Sequence, residues 1–83
     1  MDRAGVFATL KDAATEILGA DPDAITEDAR FKEDLDADSL DLVELVMALE
    51  ERFDITVPEE ELEGVTTIGK SLDLVMGKIE AKG

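Results

Sequence analysis

Cysteine and histidine are absent from this 83-residue chain. Without cysteine there is no disulfide framework and no thiol chemistry from the protein itself. Without histidine the commonest general base and metal ligand near neutral pH is missing. No apolar run approaches the length of a membrane span. No signal peptide is visible, because Asp2 and Arg3 lead directly into a periodic segment. The chain as it stands reads as cytosolic. Its length corresponds to a single domain, residues 1–83, with a core so small that net stability should be only about 3–5 kcal/mol.

Positive charge is scarce too. Eight lysines and arginines stand against 22 aspartates and glutamates, for a net charge of −14. Residues 1–20 carry net −1 and residues 64–83 net +1, so the middle segment, residues 21–63, accounts for all −14. Acids that served only solubility would be dispersed, and these are not. Nucleic acid is excluded as a partner, since phosphate binding needs the opposite sign. Basic protein surfaces fit, drawn in by electrostatic steering.

What is present is helical periodicity. Asp2 can cap a first helix, Arg3 to Leu18, in which Val6, Leu10, Ala13, Ala14 and Ile17 form one stripe, widened by Phe7 and Leu18. Gly19 is a natural stop, and Asp21-Pro22-Asp23 is turn chemistry, with a short turn expected near Asp21–Ala24. Residues 19–38 form a long connection of a kind that is uncommon unless functional or pinned. Ile25, Phe31 and Leu35 are the candidate pins.

A second helix is predicted from Ser39 to Phe53. Asp54 to Val57 is an extended link, and Pro58 opens a short helix, Glu59 to Glu63, stopped by Gly64. Leu62 is that helix's only apolar anchor among four glutamates. The last helix starts after Thr66 or Thr67, with Ile68, Leu72, Val75, Met76 and Ile79 as its core stripe and Lys78 and Lys82 suiting its C-terminal dipole. The expected fold class is all-α: a small four-helix bundle, three helices long and one short, with a long loop between the first and second helices.

The second helix is the organising element. Asp38 is a good N-cap, Ser39 takes the first helical position with its hydroxyl outward, and Asp41 suits the positive end of the dipole. Leu42, Leu45, Val46, Leu49 and Phe53 share a core-type stripe. Leu40, Val43 and Met47 fall on the opposite face, interleaved with Asp41, Glu44, Glu50 and Glu51. Taken alone, a second apolar stripe of this size is more often contact with a neighbouring helix than a partner surface. The surrounding acids and the serine shift that balance toward a partner.

A nucleophilic serine needs an adjacent base, and neither a histidine nor a GxSxG elbow accompanies Ser39. The chain is therefore not expected to be an enzyme. Ser39 is better placed as a substrate: an exposed hydroxyl at a helix N-terminus, where an attached phosphate is tolerated. Asp34, Asp36 and Asp38 match the first three positions of a calcium loop, but Ser39 replaces the turn glycine and Leu45 stands in place of the bidentate glutamate. A dedicated calcium loop is thus not expected, although weak divalent binding near Asp34, Asp36, Asp38 and Asp41 stays open.

The stretch DLDADSLDLVELVMALEERFDITVPEE resembles the attachment region of acyl carrier proteins, most closely the discrete carriers of bacterial-type fatty acid synthesis, and the likeness extends over nearly the whole chain. Asp36 departs from it, since the family most often has glycine there. The resemblance implies a 4′-phosphopantetheine group on Ser39, transferred from coenzyme A by a separate Mg²⁺-dependent phosphopantetheinyl transferase. The group supplies the thiol that the protein lacks. Acyl chains would ride on it as thioesters. The resemblance also implies a pocket for the acyl chain, for which Val46, Leu49, Leu62, Val65 and Ile68 are the candidates. Asp38, Leu40, Asp41, Val43, Glu44, Met47, Glu50 and Glu51 are the candidates for recognition of the transferase and of acyl-processing enzymes with basic patches, and the carrier is expected to be a monomer. A carrier for polyketide or other specialised assembly is the alternative within the family. An acidic calcium-binding or adaptor domain is the alternative outside it.

Crowding −14 into residues 21–63 should strain a small core by self-repulsion. Added NaCl or Mg²⁺ at low ionic strength should therefore raise the thermal midpoint. A midpoint that stays flat or falls across the titration counts against this.

Overall fold

Three α-helices joined by irregular segments carry the fold, and the computed structural model describes residues 2–82 of it. Helix α1 is Arg3–Leu18, α2 is Ser39–Phe53 and α3 is Ile68–Lys82. The ends of α1 are set by local chemistry. The Asp2 carboxylate accepts from Gly5 N–H at 2.8 Å, and Gly19, at φ 66°, donates its N–H to Thr15 O at 3.0 Å. That left-handed turn suits a residue with no Cβ. α2 ends on Asp54, which takes the same left-handed conformation at φ 54° despite its side chain.

The short helix predicted at Glu59 to Glu63 is instead a 3-10 turn, Glu59–Leu62. Three consecutive glutamates repel one another, and four residues are too few to repay the cost of nucleating an α-helix. Pro58 precedes the turn without making a side-chain cap bond. A second 3-10 turn, Pro22–Ala24, is capped by Asp21, whose carboxylate accepts from Asp23 N–H at 2.9 Å.

The core lies among the three helices. Val6, Leu10, Ala13 and Ala14 from α1 meet Leu45, Val46 and Leu49 from α2 and Ile68, Leu72 and Val75 from α3. Leu42, Phe53, Met76 and Ile79, predicted on core stripes, are only partly buried and pack against this cluster. Ile25, Phe31 and Leu35 are buried, so the connection between α1 and α2 is anchored where the sequence placed its pins. Ala29, Ala37, Ile55, Val57 and Val65 complete the core from the irregular segments. Among the described residues the one buried polar side chain is that of Ser71, which donates its hydroxyl to Ile68 O at 2.7 Å.

Backbone bonds stitch the same connection to the start of α3. Ile68 N–H donates to Ala29 O at 2.9 Å, and Gly69 N–H to Glu27 O at 2.8 Å. Phe31 N–H donates to Thr66 O at 3.0 Å beside the isolated antiparallel bridge between Arg30 and Thr67. Thr67 caps the helix through its hydroxyl, which accepts from Lys70 N–H at 3.1 Å. The free N–H groups that open any helix are thus largely satisfied by the loop. Arg3 adds side-chain links from α1, to Glu27 in the loop and to Asp73 on α3. These pairs are exposed, so screening by solvent keeps their individual worth small.

The approach of the loop to α3 is close enough to require glycine. A Cβ on Gly69 would lie 2.9 Å from the Glu27 carbonyl oxygen, whereas a Cβ on Gly77 would meet nothing. Gly77→Ala should raise stability by about 0.5–1 kcal/mol through helix propensity. Gly69→Ala should lower it by about 1–3 kcal/mol through that overlap. Thermal melts of the two variants check this; a stabilised Gly69→Ala would show that the loop yields freely.

Candidate functional site

The site is built around the first turn of α2. Asp38 and Asp41 form a reciprocal capping box: the Asp38 carboxylate accepts from Asp41 N–H at 2.9 Å, and the Asp41 carboxylate accepts from Asp38 N–H at 3.2 Å. Both acids are engaged with backbone, and Ser39 stands exposed between them. Among the described residues, the two acids beside it are occupied as caps rather than poised on its hydroxyl.

The approach to Ser39 is shaped by Asp36, Ala37 and Arg30. Ala37 is buried, and its N–H donates to Phe31 O at 2.8 Å. Asp36 takes φ 52°, the left-handed region that glycine occupies without strain. Its significance is therefore conformational as well as electrostatic. Asp34 folds back onto Arg30: its carboxylate accepts from Arg30 N–H at 2.8 Å and from the guanidinium at 3.2 Å. The Arg30 backbone N–H, then its guanidinium, hold the Asp34 carboxyl below its ordinary value. The folded contact favours the ionised form, so its stabilisation is present above the unfolded carboxylate pKa and lost as pH falls through the lower folded one.

Asp34, Asp36, Asp38 and Asp41 do not converge as ligands. Asp34 serves Arg30, while Asp38 and Asp41 serve backbone N–H groups. Among the described residues no group of three or more acidic, histidine or cysteine side chains could hold a metal ion.

Two grooves open beside Ser39. The first, about 530 Å³, runs between α2 and the 3-10 turn and is lined by Ser39, Leu42, Val43 and Leu62, with Glu59, Glu60 and Glu63 around it. The second, about 440 Å³, lies toward the α1–α2 connection and is lined by Phe31, Ala37, Leu42 and Val65 among others, again reaching Ser39. Of the five residues named for an acyl pocket, Leu62 and Val65 line these grooves. Val46, Leu49 and Ile68 are buried in the closed core and line neither. Leu42, assigned from sequence to the core stripe, borders both grooves. Its spacing of three from Ser39, which puts the two on one helix face, was the signal available.

The opposite face of α2 divides. Leu40 and Met47 are the large apolar side chains left open to solvent, 65% and 59% exposed. Val43 is half-buried and turns toward the first groove. Glu44 and Glu51 are exposed. Glu50 is half-buried, and its carboxylate accepts from Val57 N–H at 3.0 Å, an internal contact the sequence did not reveal.

An exposed serine on a capped helix N-terminus, with apolar grooves leading from it, fits a phosphate-linked arm: the hydroxyl is free to accept the phosphate and the grooves can shelter what the arm bears. Comparison with known proteins agrees. A family model described as "Phosphopantetheine attachment site" matches residues 8–75. The acyl carrier protein of Sulfurovum sp. (strain NBC37-1) is 47% identical over 70 residues, covering 84% of this chain and 93% of that protein. That of Rubrobacter xylanophilus (strain DSM 9941 / JCM 11954 / NBRC 16129 / PRD-1) is 45% identical over 76 residues, covering 92% and 94%. That of Wolinella succinogenes is 50% identical over 64 residues, covering 77% and 84%. The chain belongs to the acyl carrier proteins, non-catalytic carriers whose prosthetic group is 4′-phosphopantetheine.

Proposed function

We propose that this protein carries growing acyl chains as thioesters in fatty acid biosynthesis, on a 4′-phosphopantetheine arm attached to Ser39. The observation that carries this reading is the position of Ser39: exposed at the start of α2, held between two capping acids, and shared by both grooves. When attached, the group supplies a thiol at the end of a flexible arm. The chain's own residues do three things. Asp38 and Asp41 fix the turn that presents the hydroxyl. Leu42, Leu62 and Val65 offer apolar surface that excludes water from a cargo. The acids of α2 meet partners of opposite charge.

On this reading the whole chain, residues 1–83, is one monomeric cytoplasmic carrier domain, and the turn Glu59–Leu62 takes the place of a fourth helix beside a long first loop. The recognition surface is Leu40 and Met47 with Val43 at its edge, ringed by Asp38, Asp41, Glu44, Glu50 and Glu51. Val46, Leu49 and Ile68 back the grooves from the core and are reached only if the walls part. Phosphopantetheinyl transferase and the acyl-processing enzymes would present basic patches around an apolar socket.

Ser39 should be the sole attachment point. Incubation with coenzyme A, Mg²⁺ and a broad-specificity phosphopantetheinyl transferase should add one phosphopantetheine to the wild type and none to Ser39→Ala, read by intact mass. Equal modification of the alanine variant would sink the assignment.

The face of α2 should act through two separable contributions. Met47→Ala should raise the dissociation rate of the holo protein from a ketoacyl synthase, at a cost of about 1–3 kcal/mol in binding and with little change in melting temperature. Glu44→Lys should slow association most at low salt, with the defect shrinking as salt rises. If Met47→Ala unfolds the domain instead, the residue belongs to the core and the docking face is misplaced.

A further inference from the structure

The acidic middle of the chain, residues 21–63, contains three bases, and two of them are spent inside the fold. Arg30 pairs with Asp34 at 3.2 Å, and Arg52 pairs with Glu16 at 2.7 Å. Lys32 is the third. It is exposed, and among the described residues no acid stands within ion-pair distance of it. A cation left unpaired in a segment of net −14 is out of keeping with its surroundings.

The turn that carries Lys32 is firmly seated. Phe31 is buried; its N–H donates to Thr66 O at 3.0 Å and its carbonyl accepts from Ala37 N–H at 2.8 Å. Asp34 and Leu35 both donate their N–H groups to Arg30 O, at 2.9 and 3.1 Å. A fixed backbone thus presents a flexible four-carbon stem with a point charge at its end, the form in which lysine meets phosphate groups.

Lys32 and Ser39 line the same groove, the second one. Two acids line it as well, and both are engaged elsewhere: Asp38 caps α2, and Glu33 lies 4.0 Å from the Arg30 guanidinium. The first groove also opens at Ser39, but its charged lining residues are Glu59, Glu60 and Glu63, with no base among them. The two ways out from Ser39 are similar in size and differ in charge. A phosphodiester on Ser39 carries one negative charge, which the three glutamates repel and the lysine attracts.

We propose that Lys32 is a positioning residue for the prosthetic arm: its ammonium pairs with the phosphodiester on Ser39 and turns the root of the arm toward the second groove. This rests on the carrier reading of Ser39 and adds a direction to it. The pair is exposed to water, so it biases the arm rather than locking it, by about two- to five-fold.

The holo protein, with its chain labelled in ¹³C and ¹⁵N and its arm unlabelled, tests the direction. Isotope-filtered nuclear Overhauser effects are read at low salt from the two methyl groups of the arm nearest its phosphate. In the wild type, contacts to Ala37, Val65 and Thr66 of the second groove should exceed those to Val43 and Leu62 of the first by about two- to five-fold. Lys32→Arg should keep that excess, and Lys32→Gln should lose it. Both variants alter an exposed, unpaired side chain, so the fold is not at stake. Even contacts in the wild type, an excess that survives in Lys32→Gln, or one that Lys32→Arg loses as fully as Lys32→Gln overturns the proposal. Failure of the carrier reading shows separately and earlier: intact mass after incubation with coenzyme A, Mg²⁺ and transferase would reveal no phosphopantetheine on Ser39, and the proposal would fall with it.

Discussion

Hydrogen bonds from the first turn of α3 to the α1–α2 connection are the constraint on which the arrangement depends. Gly69 and Ile68 donate to Glu27 and Ala29, and Phe31 donates to Thr66. The bonds from Ile68 and Gly69 satisfy N–H groups that a helix start always leaves free, and the bond from Phe31 ties the loop to the residue two before α3. In the same stroke they fix a connection that has little regular structure of its own. Phe31 and Leu35 then seat in the core, Ala37 docks on Phe31, and the chain arrives at Asp38 in the geometry needed to cap α2. The position of Ser39 is thus set by a segment distant from it in sequence. A domain with so small a core cannot hold a long connection by burial alone.

The acids fall into distinct physical roles once the fold is known. Some are spent on backbone: Asp2, Asp21, Asp38 and Asp41 cap helix or turn starts, and Glu50 holds Val57. Others pair with the few bases: Glu16 with Arg52, Glu27 and Asp73 with Arg3, Glu61 with Lys78. Asp54 pairs with Lys82, whose ammonium holds the Asp54 carboxyl below its ordinary value. Glu44, Glu51, Glu59 and Glu60 are left to solvent. Repulsion among such residues is the cost of concentrating negative charge on one surface. Half of the chain's eight cations join elements, with Arg3, Arg52, Lys78 and Lys82 each bridging two.

The grooves beside Ser39 follow from the same economy of apolar residues. The 3-10 turn brings only Leu62 to the domain, so it cannot close tightly on α2, and a channel is left between them. On the other side, Val65 and Phe31 meet Ala37, whose small side chain leaves space where a larger one would fill it. Leu42 forms the ridge between the two. Imperfect packing at one end of a small domain is destabilising, yet on the function proposed for Ser39 it offers an apolar cargo a way out of water.

Helix positions and caps were legible from the sequence because they are local. Asp2, Gly19, Asp38 and Thr67 act on backbone within a few residues, and periodic apolar residues mark the buried stripes. The tripeptide Asp38-Ser39-Leu40 and its acidic surroundings were likewise readable as they stand. The rest depended on contacts between residues distant in sequence or on backbone geometry. Nothing in the sequence alone could show that Glu50 holds Val57, that Asp36 sits in a left-handed turn, or that Gly69 lies against the Glu27 carbonyl. Nor could periodicity separate Leu42, at the edge of the core stripe, from Val46 and Leu49 at its centre. A stripe specifies which face is apolar, and only the packing of neighbouring segments decides where that face is sealed and where it is left open as a groove.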